Sequence, residues 1–351
     1  MNQITEFNKQ EQNVLIGSSL LIGAKEKIFD RNAYMVQHMS ENKAYLSATE
    51  TTKLSKDKLL TLFQNKYNSY RKSWHNQSKE CFSKASYGPD LLKQGHTPLC
   101  IDIETAAICD LACPFCYRES LATPDKIINE KLFKSIVDQA AEMGVPSMKF
   151  NYRGEPLMHP KLHEMIDYAK KKGILETIIN TNATHLTEDT SKRIIDSGLD
   201  FMIYSFDGGT KETYEKMRPG RFKKNKFEDV YDNIIGFSNV REQMNAKFPR
   251  TKIQMILTKE AYSEQDSFFN LFHNFVDEVT VTQYSERGGN IEDLSKSDKK
   301  KYNQLCKDLN LPSDSPYLRK SDGSMSISDS RIPCGQPYQR MFVTYDGRVA
   351  M

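Results

Sequence analysis

From about residue 97 onwards, short apolar or β-branched runs alternate with longer stretches of helical periodicity, and this alternation limits the possible folds most strongly. The runs predict six strands, at residues 99–104, 147–152, 176–180, 201–206, 252–257 and 278–282. The stretches between them predict helices at residues 129–143, 161–172, 188–197, 227–240 and 263–275. Single helices between successive strands imply parallel pairing with right-handed crossovers. An α/β fold follows, either a partial (β/α)6 barrel of the TIM type or an open parallel sheet, with ligands at the carboxyl ends of the strands.

Composition divides the chain into three predicted regions. Residues 1–95 are polar, and apolar residues between Leu59 and Trp74 recur at helical spacing, so we predict a mainly helical N-terminal extension. Residues 96–290 form the predicted core. Residues 291–351 are predicted to be a linker with one helix at 297–309, followed by a short C-terminal hairpin that turns at Asp346-Gly347.

The bulk composition argues against nucleic-acid and membrane partners. The net charge is +3 over 351 residues, and Lys and Arg are scattered along the chain. No run approaches the roughly 18 apolar residues of a membrane span. The nearest, residues 14–24, is too short and contains two serines. We therefore expect a cytoplasmic protein.

Three of the seven cysteines, Cys109, Cys113 and Cys116, lie within eight residues, shortly after the first predicted strand. An odd number of cysteines with such crowding is a poor disulfide framework and favours metal binding. Structural zinc sites need four ligands, usually from two cysteine pairs, and the sequence has no second pair. Four thiolates close a [4Fe–4S] cube, so three in one loop leave one iron open to a cofactor or substrate.

The Cys-x3-Cys-x2-Cys spacing, with Phe115 before the last cysteine and Tyr117 after it, resembles the radical S-adenosylmethionine (radical SAM) superfamily. The resemblance implies a [4Fe–4S] cluster on Cys109, Cys113 and Cys116. It further implies that S-adenosylmethionine chelates the open iron through its amino and carboxylate groups and is contacted by Phe115 and Tyr117. One electron from the reduced cluster then cleaves this cofactor into methionine and a 5′-deoxyadenosyl radical, which abstracts hydrogen from a substrate.

The segment after the second predicted strand is similar to a cofactor-binding motif of this superfamily. Gly154-Glu155-Pro156 resembles the end of its Gly-Gly-Glu-Pro motif, which implies that these residues hold the methionine ammonium group, with Glu155 as the fixed negative charge. Arg153 replaces the first glycine and is a candidate to reach a carboxylate or a substrate anion.

The third and fourth predicted strands end in two further segments of this kind. Thr181 and Asn182 belong to a segment similar to Thr-Asn-Gly, and Ser205 and Asp207 to one that resembles Ser-x-Asp-Gly. The resemblance implies that all four lie at the cofactor. Downstream, the stretch that ends in Arg218 resembles a Tyr-x-x-x-Arg segment, which packs behind the fourth strand.

Other polar residues at the strand ends carry weaker signals. On the fifth strand, Gln254 and Thr258 are candidates to approach the adenine or ribose. The candidates for substrate contact, which could equally be satisfied polar residues of a barrel interior, are Asp102, Glu104, Tyr152, Arg153, Gln283 and Tyr284. His159 and His163 would bind a metal only with a third ligand, and surface positions are the simpler interpretation.

The tail that contains Cys334 and the Asp346-Gly347 turn resembles the opening of a SPASM or twitch extension, which binds auxiliary iron–sulfur clusters. Counting from Gly347, the next cysteine of such an extension would fall at position 352. An auxiliary cluster with Cys334 as its first ligand is therefore expected only if the chain continues beyond Met351. A hairpin that stops in mid-strand exposes unpaired backbone groups, so we favour a fragment of a longer protein over a shortened relative.

Together these features predict a radical SAM enzyme that abstracts hydrogen from a peptide, a sugar or another small molecule. A reducing electron donor such as flavodoxin or ferredoxin is implied as a partner. No catalytic residue is assigned. The alternative is a non-catalytic iron–sulfur protein that uses the cluster structurally or as a redox sensor. Such a protein would have no need of the Gly154-Glu155-Pro156 segment or of the Ser205 and Asp207 pair.

Overall fold

The computed structural model describes residues 8–16, 19–24, 42, 54–83, 96–119, 123–284 and 335–350, together with residues 300, 303, 304, 307, 317–319 and 325–327. The six predicted core strands are present as β3 (Cys100–Ile103), β4 (Ser147–Lys149), β5 (Glu176–Thr181), β6 (Phe201–Ser205), β7 (Arg250–Leu257) and β8 (Glu278–Gln283). They are parallel and neighbour one another in chain order, which confirms the predicted α/β barrel-like sheet.

The helices between these strands are α2 (Glu130–Glu142), α3 (Leu162–Lys171), α4 (Glu188–Asp196), α5 (Lys211–Met217), α6 (Phe227–Gln243) and α7 (Gln265–Phe272). All except α5 lie where helical periodicity predicts them, and α5, which follows β6, was not predicted. Side chains at several starts satisfy free amide groups: Asn129 caps α2, Thr187 caps α4 and Thr210 caps α5. No helix in the described ranges is long and apolar enough to cross a membrane.

The N-terminal extension contains the predicted helix, α1 (Lys56–Ser83), but it is not only helical. Strands β1 (Asn8–Ile16) and β2 (Ser19–Ala24) form an antiparallel pair, and β2 also pairs antiparallel with β8. The prediction of a mainly helical extension therefore misses these two strands. They extend the edge of the core sheet, where the apolar run at residues 14–24 finds backbone partners.

The two faces of the core sheet carry separate apolar clusters. Helices α2 to α7 cover one face, with Met148, Ile179 and Met202 among its buried residues. Helix α1 packs on the opposite face, where Phe63 and Tyr67 belong to a buried cluster that includes Ile178 and Phe201. Because successive side chains of a strand point to opposite faces, neighbours such as Ile178 and Ile179 enter different clusters. The inner face near the amino ends of the strands is thus filled by α1.

The predicted C-terminal hairpin is present as β11 (Arg340–Val343) and β12 (Val349–Ala350), and Gly347 in its turn has a φ of +84°. In addition, β11 pairs in parallel with β3, so the sheet has seven parallel strands and ten strands in all. Two further strands, β9 (Tyr317–Arg319) and β10 (Met325–Ile327), form a separate antiparallel pair among the described strands. The predicted helix at 297–309 lies largely outside the described residues.

Candidate functional site

The three cysteines lie in a loop at residues 109–116, here called the cluster loop, at the carboxyl end of β3. Neighbouring segments fix its backbone. The Glu155 amide donates to the Ile108 carbonyl at 2.9 Å, and the Arg221 amide donates to the Asp110 carbonyl at 2.7 Å. A β-bridge joins Leu111 to Gly220. The loop is therefore held on one side by the segment after β4 and on the other by the segment after α5.

Cys113 is buried, Cys109 and Cys116 are half-buried, and all three are free thiols. Burial, reinforced by the charge of Glu155, raises the pKa of the Cys109 thiol to about 12, and burial also raises the pKa of Cys113. Without metal the thiols of Cys109 and Cys113 are therefore protonated at neutral pH, and iron would replace their protons with positive charge.

Among the described residues, no three His, Cys, Asp or Glu side chains are grouped to bind a single metal ion. An iron–sulfur cube places different demands on its ligands, because each thiolate binds a different iron. Because no such group of three exists in the described chain, His159 and His163 are not two ligands of a three-residue metal site there. The Nδ1 atom of His159 instead accepts a hydrogen bond from the Lys161 amide at 3.1 Å.

Glu155 connects the ends of β4 and β5. Its side chain is only 3% exposed. One carboxylate oxygen accepts hydrogen bonds from the Thr181 hydroxyl at 2.7 Å and the Leu157 amide at 3.0 Å, and the other accepts from the Asn182 amide at 2.7 Å. Burial raises the pKa of Glu155 to about 7, although the hydrogen bonds from Asn182 and Thr181 act in the opposite direction. Three predicted cofactor residues, Glu155, Thr181 and Asn182, thus form one hydrogen-bonded unit.

Asp110, to which the sequence analysis assigns no role, ties the cluster loop to this unit. Its carboxylate accepts hydrogen bonds from the Asn182 side-chain amide at 2.8 Å and from the Thr184 hydroxyl at 2.6 Å. Burial alone would raise the pKa of the Asp110 carboxyl, but hydrogen bonds from His185, Thr184 and Asn182 together lower it. In the sequence, the position of Asp110 directly after Cys109 was the available indication of a role for it. Its hydrogen-bond partners lie 72 or more residues away and could not be predicted from the sequence.

Gly154 lies where two loops meet backbone to backbone. A Cβ atom at this position would lie 2.2 Å from the Ala106 carbonyl oxygen and 2.4 Å from that of Ile108. Only glycine lets the segment after β4 approach the residues that lead into the cluster loop. Pro156 then occupies the first turn of a short 3₁₀-helix, Pro156–Met158, where its missing amide hydrogen costs nothing.

The predicted cofactor residues of β6 differ in their contacts. The Asp207 carboxylate is buried and accepts hydrogen bonds from Arg218 at 2.5 Å and from the Ile256 amide at 2.7 Å. Ser205 is half-buried at the end of β6, and its hydroxyl has no hydrogen-bond partner among the described residues. Of this pair, Ser205 therefore has the hydroxyl available for a ligand, whereas Asp207 is engaged within the protein.

Phe115 in the cluster loop and Tyr117 directly after it face different neighbours. The Phe115 ring lies 5.8 Å from the Arg218 guanidinium carbon. The Tyr117 ring centre is 6.5 Å from that of Tyr152, which lies 5.0 Å from Phe342 on β11. The seventh parallel strand thus adds an aromatic side chain beside the predicted site, which the sequence analysis did not foresee.

Arg153, the departure from the Gly-Gly-Glu-Pro motif, reaches a carboxylate within the chain. Two of its nitrogens donate to the two oxygens of buried Glu104, each at 2.7 Å. The second Glu104 oxygen also accepts from the Tyr345 amide at 3.3 Å. Glu104 and Arg153 therefore satisfy each other and attach the segment after β4 to the C-terminal hairpin.

The remaining weak candidates are mostly engaged in the fold. Asp102 accepts hydrogen bonds from Arg340 at 2.7 and 3.0 Å, and the Thr258 hydroxyl accepts from the Ala261 amide at 3.3 Å. Gln254 lies opposite Ser205 in the strand register, on the same level of the sheet. Tyr284 is half-buried, and the Gln283 side chain lies outside the described structure, as does Cys334.

The residues present fit a [4Fe–4S] cluster with one open iron. The cluster loop supplies three thiols and no competing disulfide. Behind it, the Nε atom of Arg218 is a buried donor without a hydrogen-bond acceptor in the described part of the chain. Such a donor is suited to an anionic group such as a thiolate-bound cluster.

Comparison with known families agrees with this geometry. The model of the Radical SAM superfamily matches residues 103–240, which contain the cluster loop and the strand ends up to Asp207. Residues 103–240 therefore match a radical SAM domain. Members of this superfamily are enzymes, and their cofactors are a [4Fe–4S] cluster and S-adenosylmethionine.

The individual relatives are distant from this chain. A tungsten-containing aldehyde ferredoxin oxidoreductase cofactor-modifying protein from Pyrococcus furiosus is 25% identical over 165 residues, 46% of this chain and 44% of that protein. Fe-coproporphyrin III synthase from Methanosarcina barkeri is 32% identical over 112 residues, 31% of this chain and 27% of that protein. The matches therefore span less than half the length of these two relatives.

Solved structures share the fold over most of the chain. The crystal structure of Streptococcus suis SuiB bound to S-adenosylmethionine aligns with 91% of this chain and 71% of that chain, with a TM-score of 0.55 and 17% identity. SuiB bound to its precursor peptide SuiA aligns over the same shares with a TM-score of 0.53 and 16% identity. At this identity the likeness concerns the fold.

Proposed function

We propose that this protein is a radical SAM enzyme that abstracts a hydrogen atom from its substrate. The observation that carries the proposal is the cluster loop itself, which contains three free thiols. Hydrogen bonds to Asp110 and from the Glu155 amide attach this loop to the ends of the neighbouring parallel strands. When bound and reduced, the cluster supplies the electron that cleaves S-adenosylmethionine to a 5′-deoxyadenosyl radical.

The protein residues would act by binding and orientation. Cys109, Cys113 and Cys116 would hold the cluster, and the Gly154–Pro156 segment with Glu155 would lie beside the methionine ammonium group. The Ser205 hydroxyl, which has no partner within the described chain, would donate to or accept from the cofactor. Phe115 and Tyr117 flank the last cysteine and would exclude water from the same region.

Thr181, Asn182 and Asp207 would act through their neighbours. Thr181 and Asn182 donate hydrogen bonds to Glu155, and Asn182 also donates one to Asp110 of the cluster loop. The Asp207 carboxylate holds Arg218 behind the loop. Their proposed role is to keep the cluster loop and the cofactor-binding segment in one arrangement, because small displacements of reacting groups cost large factors in rate.

For the substrate, a peptide is the class that we favour over a sugar or another small molecule. The support is the shared fold with SuiB, which is described bound to a precursor peptide. The half-buried aromatic side chains of Tyr152 and Phe342 beside the site suit the side chains of a peptide. We also infer a cytoplasmic location and a one-electron donor protein such as flavodoxin or ferredoxin, because the proposed cluster requires reduction.

The decisive experiment is anaerobic reconstitution with iron and sulfide, followed by dithionite and S-adenosylmethionine. We expect about one [4Fe–4S] cluster in the described core and formation of 5′-deoxyadenosine. Cys113→Ala should assemble no normal cluster. Cys100→Ala is the matched control, because Cys100 is also a buried thiol but lies at the amino end of β3. A full cluster without any 5′-deoxyadenosine or adenosyl adduct would favour the non-catalytic alternative.

A further inference from the structure

The segment between α5 and α6 exposes several basic side chains and one aromatic ring. Residues 219–226 have the sequence Pro-Gly-Arg-Phe-Lys-Lys-Asn-Lys, which contains four basic residues and no acidic one. Phe222 in its middle is 58% exposed. The exposed side chains of the segment, here called the basic patch, are Arg221, Phe222, Lys223, Lys224 and Lys226. A single exposed ring is common on protein surfaces, so its meaning depends on what lies around it.

The basic patch is attached to the cluster loop by backbone pairing. Residues 219–221 lie beside residues 110–112, which they meet through a β-bridge and through a hydrogen bond of 2.7 Å from the Arg221 amide to the Asp110 carbonyl. Residues 110–112 connect the first two cysteines of the loop. Phe222 is therefore only one residue beyond the part of the segment that contacts the cluster loop.

The other end of the basic patch is anchored by Asn225, which is buried. Its side-chain amide donates hydrogen bonds to the Tyr214 hydroxyl at 3.0 Å and to the Arg218 carbonyl at 2.9 Å. The exposed side chains thus project from a backbone that is held on both sides, which reduces the cost of ordering the surface when a partner binds.

The positive charge of the basic patch is only partly balanced within the chain. Arg221 pairs with Asp125 at 2.6 Å, and Lys224 pairs with Glu215 at 3.2 Å. The cations of the patch without an ion-pair partner among the described residues are Lys223 and Lys226. Because the whole chain has a net charge of only +3, this excess is a local feature, and it fits an anionic partner.

We propose that the basic patch is the docking surface for a small acidic electron-carrier protein that reduces the cluster. The proposal rests on the proposed function, which requires a bound cluster and an electron for it. The rate of electron transfer between proteins falls steeply with distance, and the patch is joined directly to the chain that connects two cluster ligands. Its lysines would attract an acidic carrier, and Phe222 would supply an apolar contact among them.

This placement leaves the substrate side of the cluster loop free. The segment after β4 holds the other side of the loop, and its Tyr152 lies beside Phe342. A carrier on the α5 side and a substrate on the β4 side would therefore not compete. An acidic substrate is the other occupant that the charge of the patch fits, and the test separates it from the carrier.

The test uses the reconstituted protein and a purified acidic flavodoxin at low ionic strength. Calorimetric titration gives the Kd of the complex, and stopped-flow absorbance gives the rate at which one electron passes from the fully reduced flavin to the oxidised cluster. Lys223→Glu combined with Lys226→Glu should weaken binding and slow reduction by about 10-fold, and added salt should reduce the difference from wild type. Phe222→Ala should weaken binding by about 5-fold and leave its salt dependence unchanged.

Lys72→Glu combined with Lys79→Glu is the matched control, because it changes the net charge equally. Both lysines are exposed on α1, which packs near the amino ends of the strands. This pair should bind and accept electrons from flavodoxin as the wild type does. Reduced methyl viologen, a small cation, should reduce the cluster of every variant at least as fast as that of the wild type.

Iron and sulfide content is measured first, and Lys223→Gln with Lys226→Gln replaces the glutamate pair if that pair does not load. Unchanged binding and reduction in the loaded variant would overturn the proposal and favour an acidic substrate at the patch. An equal loss in the control pair, or slower reduction by methyl viologen, would also overturn it. A wild type that flavodoxin reduces but that forms no 5′-deoxyadenosine would refute the proposed function and leave the docking surface standing. A wild type that loads no cluster would refute both.

Discussion

Glu155 and Glu176 are two buried glutamates at opposite ends of the same parallel sheet. Both are 3% exposed or less, and each accepts at least three hydrogen bonds. Glu155 lies beyond β4, where its donors belong to the loops that surround the cluster loop. Glu176 begins β5, where its donors include the hydroxyl groups of Tyr67 and Tyr70 from α1 and of Ser147 from β4.

The difference lies in the kind of donor. Two of the donors to Glu155 are backbone amides, which are fixed in direction, whereas the three donors to Glu176 named above are hydroxyl groups, which can rotate and can also accept. Burial and hydrogen bonding alone therefore do not identify a functional carboxylate. What distinguishes Glu155 is that fixed amides of two loops converge on it at the carboxyl ends of the strands, where α/β folds bind ligands.

The largest effect should come from adding volume where the backbones meet at the carboxyl end of the sheet. Gly154→Ala would place a Cβ atom 2.2 Å from the Ala106 carbonyl oxygen, so the cluster loop must move. We expect a loss of about 3 kcal/mol in the free energy of unfolding and poor cluster retention after reconstitution. Denaturant titration of the cluster-free protein and iron analysis measure the two effects.

Gly236→Ala is the matched control for this substitution. Gly236 lies within α6, and a Cβ atom there would meet nothing within 4 Å. Alanine should stabilise the helix by about 0.5–1 kcal/mol and leave cluster retention unchanged. Equal behaviour of the two alanine variants would contradict the close approach of the loops.

The alternation of strands and helices was sufficient to predict the six core strands, since each amphipathic helix lies between two runs of strand type. The parallel pairing of β11 with β3 was not predictable in this way, because β11 follows β8 only after more than fifty residues. The strands β1 and β2 were missed for a related reason: β1 pairs with β2, and β2 joins the core sheet through β8, which lies more than 250 residues away.

The residues of the candidate site also differ in whether local spacing in the sequence was sufficient to predict their roles. The residues whose spacing is local, such as Cys109, Cys113 and Cys116, could be assigned from the sequence because one loop contains them all. The role of Asp110 and the identity of the carboxylate that Arg153 reaches could not be assigned, because each depends on a partner supplied by a different strand end. Motif resemblance places Asp207 at the cofactor, but only the structure shows its carboxylate engaged by Arg218 and Ile256.

A smaller effect is expected when each glutamate is replaced by its neutral amide. In Glu155→Gln, the new NH2 group must face the amide of either Leu157 or Asn182, and the amide that it faces loses its acceptor. We expect this unsatisfied donor to cost about 2 kcal/mol in the free energy of unfolding. In Glu176→Gln, the hydroxyl groups of Tyr67 and Tyr70 can rotate and accept from the NH2 group, so we expect a loss below about 1 kcal/mol.

The affinity for S-adenosylmethionine should also distinguish Glu155 from Glu176. Calorimetric titration of the cluster-loaded proteins should show weaker binding in Glu155→Gln and wild-type binding in Glu176→Gln. A loss of affinity of similar size in both variants would mean that the two carboxylates support the site equally and would remove the distinction drawn between them.

The smallest effect is a pH dependence of stability that belongs to Glu155. Its pKa is raised from 4.5 to about 7 in the folded protein, mainly by burial, so the folded state retains a proton that the unfolded state has lost between these values. The contribution to stability is fully present below about pH 4.5 and is lost as the pH rises through 7. The slope should approach about 1.4 kcal/mol per pH unit in the middle of this range.

Denaturant unfolding of the cluster-free protein between pH 4.5 and 7.5 measures this slope, and Glu155→Gln provides the reference because glutamine does not titrate. The pKa values of Asp110 and His185 are also shifted in the folded protein. Because the charge of Glu155 contributes to the raised pKa of His185, the difference between the two proteins removes only the part of these titrations that does not depend on Glu155. A wild-type curve parallel to that of Glu155→Gln would show that hydrogen bonds from Asn182 and Thr181 outweigh burial. Glu155 would then be a permanent anion beside the cluster loop, whereas a falling curve makes it an acid that ionises only near neutral pH.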